Sequence, residues 1–139
     1  MDIQNHAKDY KSTDHLFYSC QYHVIFCPKY RRKILKNGID TRLKELFVEI
    51  AETYDFQIIE MEIMSDHVHL LIDCNPRFGI MDCINKLKGI TANRLRKEFP
   101  EIRKLLYGKH IWSPSYFIST VSENTEQNIK EYIKNQKRS

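Results

Sequence analysis

A chain of 139 residues with 42% hydrophobic and 29% charged residues can hold one domain with its own core. It lacks any apolar run near the roughly 20 residues that span a bilayer, which argues against an integral membrane protein. The formal charge is only +4, but the basic residues cluster at Lys29–Lys33, Lys86–Lys97 and Lys130–Arg138. Clustered Lys and Arg are the electrostatic footprint of a phosphate-backbone partner, although each cluster alone also reads as a solvated face.

Residues 1–14 are polar and read as a loose lead-in. They lack the charged-then-apolar layout of a secretion signal, so a cytoplasmic location is expected. Residues 16–27 are rich in aromatic and β-branched types and stop at Pro28, which predicts a strand. A basic loop follows through Gly38. Residues 40–54 place Leu43, Leu46, Phe47, Ile50, Ala51 and Tyr54 at helical spacing, with Asp40 or Thr41 as the cap.

Residues 56–63 and 66–73 predict two strands joined by a tight connection near Met64 and Ser65, the second broken at Asn75-Pro76. Residues 79–98 predict a second helix with Ile80, Cys83, Ile84, Leu87 and Leu95 inward. Residues 101–113 read as irregular or partly helical, 115–121 as a fourth strand, and 125–137 as a last helix with Ile129, Tyr132, Ile133 and Gln136 on one stripe. The order is β-α-β-β-α-β plus a C-terminal helix over a single domain, 1–139. That is an α+β, ferredoxin-like sandwich with a four-stranded antiparallel sheet. The fold licenses no function by itself. Cysteines 20, 27, 74 and 83 form no Cys-x-x-Cys pair, so a zinc knuckle is not expected and reduced thiols are.

Chemistry enters with Asp-His-Val-His-Leu-Leu-Ile at 66–72. Side chains alternate along a strand, so His67 and His69 share a face about 7 Å apart, close enough to converge on one cation. On the last helix, Tyr132 and Gln136 lie one turn apart on one face. A phenol is a possible nucleophile, and an amide oxygen is a possible metal ligand. A divalent ion beside a phenol suits phosphoryl transfer at a nucleic-acid backbone. Each feature also has a plainer reading: a polar strand face for the histidines, packing with Ile129 and Ile133 for Tyr132, and a sheet histidine for His23.

Five segments in order change that balance. They are Tyr-His-Val-Ile-Phe-Cys-Pro-Lys-Tyr-Arg-Arg at 22–32, Asp-His-Val-His-Leu-Leu at 66–71, Lys-Leu-Lys-Gly-Ile-Thr at 86–91, Trp112-Ser113-Pro114, and Tyr-Ile-Lys-Asn-Gln at 132–136. Together they resemble the single-tyrosine HUH transposases, the TnpA type of small insertion sequences that move as single-stranded DNA. The resemblance runs from about Tyr18 to Gln136.

The resemblance implies that His67 and His69 are the histidines of the HUH motif, that Gln136 is the third ligand of Mg2+ or Mn2+, and that Tyr132 is the nucleophile. It also implies a 5′-phosphotyrosine intermediate, recognition of hairpins near element ends, and a homodimer, often with composite active sites. Relatives often carry glycine between the fourth strand and the tyrosine helix, and residues 121–125 here have none. Lys29, Tyr30, Arg31, Arg32, Lys33, Lys86, Lys88, Arg94 and Arg96 are the candidate DNA contacts, since basic grooves with interleaved aromatics hold single strands. The competing readings are a domesticated, repeat-associated relative, a non-catalytic ferredoxin-like nucleic-acid-binding module, and a nuclease that uses water.

Overall fold

The computed structural model describes residues 11–13, 16–18, 20–76, 78–106, 110–121 and 125–136. Among the described residues, six strands and four α-helices follow in the order β1 Lys11–Thr13, β2 Leu16–Tyr18, β3 Gln21–Phe26, α1 Ile39–Thr53, β4 Gln57–Met64, β5 His67–Asp73, α2 Gly79–Glu98, α3 Glu101–Leu105, β6 Phe117–Thr120 and α4 Thr125–Asn135. The main sheet has the order β4-β5-β3-β6, with every pairing antiparallel. This is the expected ferredoxin-like arrangement, and it makes β5, the histidine strand, a central one.

The two long helices form where periodicity placed them. Leu43, Leu46, Phe47, Ile50 and Ala51 line the buried side of α1, and Cys83, Ile84, Leu87, Thr91 and Leu95 that of α2. Both stripes pack on Val24 and Phe26 of β3 and Val68, Leu70 and Ile72 of β5, one face of the sheet. Buried Thr91 is satisfied, because its hydroxyl donates to the Leu87 carbonyl and accepts from the Trp112 indole at 3.0 Å. The expected cap differs: α1 begins at Ile39 behind Gly38, which takes φ 97° with no side-chain cap. A glycine at positive φ lets the chain turn sharply into the helix, so Asp40 falls in the first turn instead.

The strand expected over 16–27 is two strands. Leu16–Tyr18 pairs with Lys11–Thr13 in a separate two-stranded sheet, and Gln21–Phe26 joins the main one. Lys11–Thr13 is therefore not a loose lead-in, whereas residues 1–10 lie outside the described residues. A continuous apolar run shows that a segment is extended but not which strand it pairs with. The fourth strand is also shorter than its sequence pattern, Phe117–Thr120.

Cross-strand register sorts the second sheet face. Ile25 pairs with His69 and with Phe117, and His69 pairs with Glu62. This face therefore carries His23, Ile25, His67, His69 and Phe117. Helix α4 lies over it at β6, where the Tyr132 ring meets Phe117 at 5.7 Å between centroids.

Candidate active site

The β4–β5 hairpin turns at Ser65 and Asp66, so His67 and His69 begin the central strand. His67 Nδ1 donates to Asp66 Oδ1 at 2.9 Å. That bond fixes the ring and leaves Nε2 turned away from the carboxylate, an arrangement suited to a metal ligand. The other Asp66 oxygen accepts from Arg31 Nε at 2.7 Å. Burial pushes the Asp66 carboxyl up. The hydrogen bond from His67 and the charge of Arg31 outweigh it and hold the carboxyl below its ordinary value.

His69 is placed differently. Its Nε2 lies 3.0 Å from His23 Nδ1, and its Nδ1 lies 3.8 Å from Glu62 Oε2. Burial, followed by the neighbouring His23, pushes its pKa below the ordinary histidine value, against the pull of Glu62 and Glu60. A neutral imidazole is the ligating form. His67 and His69 offer imidazole nitrogens and Gln136 an amide oxygen, donor types that a divalent cation accepts; His69 Nε2 faces His23, and Gln136 Oε1 faces Ser115. Among the described residues, no group of three or more His, Cys, Asp or Glu side chains is gathered in metal-binding geometry.

Tyr132 and Gln136 do share one face of α4, and they converge on Ser115. The Ser115 hydroxyl donates to Gln136 Oε1 at 3.1 Å and lies 3.4 Å from the Tyr132 hydroxyl and 3.1 Å from that of Ser113. Burial pushes the Tyr132 phenol up to about 12, with the Ser115 contact pulling the other way. Tyr132 makes no hydrogen bond to either motif histidine among the described residues. The bridge between the two halves is Arg31, whose Nη1 donates to the Ile133 carbonyl of α4 at 2.8 Å while Nε holds Asp66.

The nine candidate DNA contacts do not form one surface. Lys29, Lys88 and Arg96 line a cleft of about 460 Å³ together with Gly89, His110 and Trp112. Lys88 is half-buried and donates to the Ser113 carbonyl at 2.7 Å, and burial lowers its pKa. Lys86, two residues away, falls on another side of α2 and sits 4.4 Å over the Tyr54 ring. Arg94 pairs with Glu98 at 3.1 Å. Arg32 and Lys33 are exposed, as is Tyr30, whose ring has Lys29 at 5.6 Å. Arg31 points inward.

Asp66, Ser115 and the inward role of Arg31 escape sequence reasoning, whereas His23 is the sheet histidine its sequence position suggests, partnered by His69. Asp66 alone had a visible clue, a carboxylate beside a candidate ligand. The others depend on neighbours far away in sequence.

The chain is similar to known proteins over most of its length. Residues 16–136 match the family described as "Transposase IS200 like". The chain is 41% identical to the ISDra2 transposase TnpA of Deinococcus radiodurans over 119 residues, 86% of this chain and 85% of that one. It is 30% identical to the transposase for insertion sequence element IS200 of Salmonella typhimurium over 128 residues, 92% of this chain and 84% of that one. A crystal structure of a putative transposase from Deinococcus radiodurans superposes with a TM-score of 0.82 at 36% identity, covering 91% of this chain and 96% of that one. A REP-associated tyrosine transposase bound to a REP hairpin shares the fold alone, with a TM-score of 0.57 at 12% identity, covering 93% of this chain and 74% of that one. A histidine pair on a central strand, a tyrosine helix across the same sheet face and these matches lead to one conclusion: the chain belongs to the IS200-like transposase family.

Proposed function

We propose that this DNA transposase cuts and rejoins single-stranded DNA at insertion-sequence ends through Tyr132, by way of a 5′-phosphotyrosine. The observation that carries the reading is the tyrosine helix lying on the sheet face that bears His67 and His69, tied to it through Arg31 and Asp66. In the cut, the Tyr132 oxygen bonds to phosphorus as the bond from phosphorus to the 3′ oxygen breaks. The phenolic proton is lost, and the 3′ oxygen leaves as a hydroxyl. Rejoining reverses this with a 3′-hydroxyl as nucleophile. The ester linkage is conserved, so no ATP is required.

His67, His69 and Gln136 would hold Mg2+ or Mn2+, which supplies positive charge to the scissile phosphate when bound. Asp66 orients His67, and Ser115 positions both the phenol and the Gln136 amide. A phenol pushed up to about 12 is almost wholly protonated near neutrality, so the site must favour the phenolate as the bond forms. The same raised pKa is the feature that favours the runner-up reading, a nuclease in which water attacks.

We place DNA phosphates on the cleft of Lys29, Lys88 and Arg96, and propose hairpin-bearing strands as the substrate. A protein of the same fold is bound to a REP hairpin. A homodimer with composite active sites is part of the proposal: α4 touches its own sheet chiefly at β6.

The test is a denaturing gel of labelled single-stranded DNA from the element ends, incubated with Mn2+ or Mg2+. The parent protein gives a metal-dependent covalent band, and Tyr132→Phe gives none while still binding the DNA. An adduct formed equally by Tyr132→Phe refutes the nucleophile assignment, and cutting without an adduct makes water the nucleophile.

A further inference from the structure

We infer that Arg31 is a positioning residue that couples docking of the tyrosine helix to the orientation of His67, by bridging the Ile133 carbonyl and the Asp66 carboxylate with one guanidinium. This rests on the roles proposed above for Tyr132 and His67.

Four observations carry it. Arg31 makes both contacts at short range, 2.7 Å to Asp66 and 2.8 Å to Ile133, across separations of 35 and 102 residues. Its side chain and that of Asp66 are only 15% and 11% exposed, so the pair is sheltered from solvent. Guanidinium is the one side-chain cation with donors fixed in a planar fork, which lets a single group serve two acceptors.

Second, Ile133 sits in the last turn of α4, where carbonyls have no partner within the helix. A cation there also meets the negative end of the helix dipole. The pin falls between Tyr132 and Gln136, the two side chains whose placement matters.

Third, Tyr30 and Arg31 both adopt positive φ, 58° and 51°, a conformation that L side chains rarely take. Arg31 N–H donates to the Pro28 carbonyl at 2.7 Å, which closes this turn. The turn aims Arg31 under the helix. Fourth, the carboxylate that Arg31 holds is the same one that accepts from His67 Nδ1. Undocking the helix therefore changes the partners of the group that orients the metal ligand.

The experiment measures amide hydrogen exchange along the metal-free chain, and Mn2+ affinity by calorimetry, for the parent, Arg31→Gly and Arg31→Lys. Glycine accepts φ 51° without strain, so it removes the side chain and adds no backbone strain. Arg31→Gly is expected to raise exchange in residues 125–136 by about tenfold while the core strands stay protected. It is also expected to weaken Mn2+ binding by about tenfold, the lower end of what outer ligand partners are worth. Arg31→Lys carries a single ammonium and restores at most one of the two readouts. Unchanged exchange in α4 overturns the proposal. So does faster exchange with Mn2+ affinity unchanged, or loss of protection across the whole chain. The exchange arm does not involve the Tyr132 hydroxyl, so a failed nucleophile assignment leaves its result standing.

Discussion

Tyr132 shows how one residue's setting dictates what its site must supply. Burial pushes the phenol up to about 12, well above the ordinary value near 10. A group whose pKa is raised by folding contributes stability that is fully present below its unfolded value and lost as pH rises through the folded one. Stability should therefore fall between about pH 10 and 12, and Tyr132→Phe should flatten that part of the profile, as urea unfolding across the range would read. Ser115→Ala removes the contact that opposes burial and the donor to Gln136. We expect it to raise the phenol further and to slow adduct formation by about tenfold, with DNA binding unchanged. A parent-like adduct rate would remove Ser115 from the site. Sequence reasoning reached Tyr132 and Gln136 through their four-residue spacing and the motif around them. It could not reach Ser115, because nothing local marks a serine ahead of a strand.

At the scale of the element, the two long helices were legible to within a residue of their ends, because burying one stripe imposes a period that needs no partner to be seen. Their caps and contacts were not. The same holds for strands: 16–27 reads as one extended run, yet Leu16–Tyr18 pairs outside the main sheet. Gly89 offers a test on α2. It sits in the helix interior, and a Cβ added there meets nothing within 4 Å. Gly89→Ala should stabilise the fold by about 0.5–1 kcal/mol, read as a higher urea midpoint with unchanged slope. The added methyl group would also intrude on the wall of the basic cleft. Stability gained with weaker single-strand binding would mark the glycine as an opening kept for the ligand.

Over the whole molecule, charge is organised by the tertiary structure more than by clustering in the chain. The net +4 is small, but Lys29 and Arg96, 67 positions apart, line one cleft, while neighbours Lys86 and Lys88 part around their helix. If the cleft holds phosphates, Lys29→Gln and Arg96→Gln should each make the dependence of single-strand affinity on salt shallower by roughly 0.7 in the log–log slope. Arg31→Gln should leave that slope alone, since Arg31 is committed to Asp66 and Ile133. Fluorescence anisotropy at several salt concentrations reads all three. An Arg31→Gln slope that drops with the others would return Arg31 to the DNA-binding set.

The amino-acid order by itself determined the ferredoxin-like succession of elements, the common face of His67 and His69, and the common face of Tyr132 and Gln136. Each of these follows from the fixed repeat of a strand or a helix. Only the tertiary structure decided that His23 meets His69, that Ser115 receives both side chains of the last helix, and that Arg31 turns away from solvent to join Asp66 to Ile133. Those contacts span 17 to 102 residues, and their formation depends on strand register and on a strained turn at Tyr30 and Arg31. Local periodicity carries no record of either.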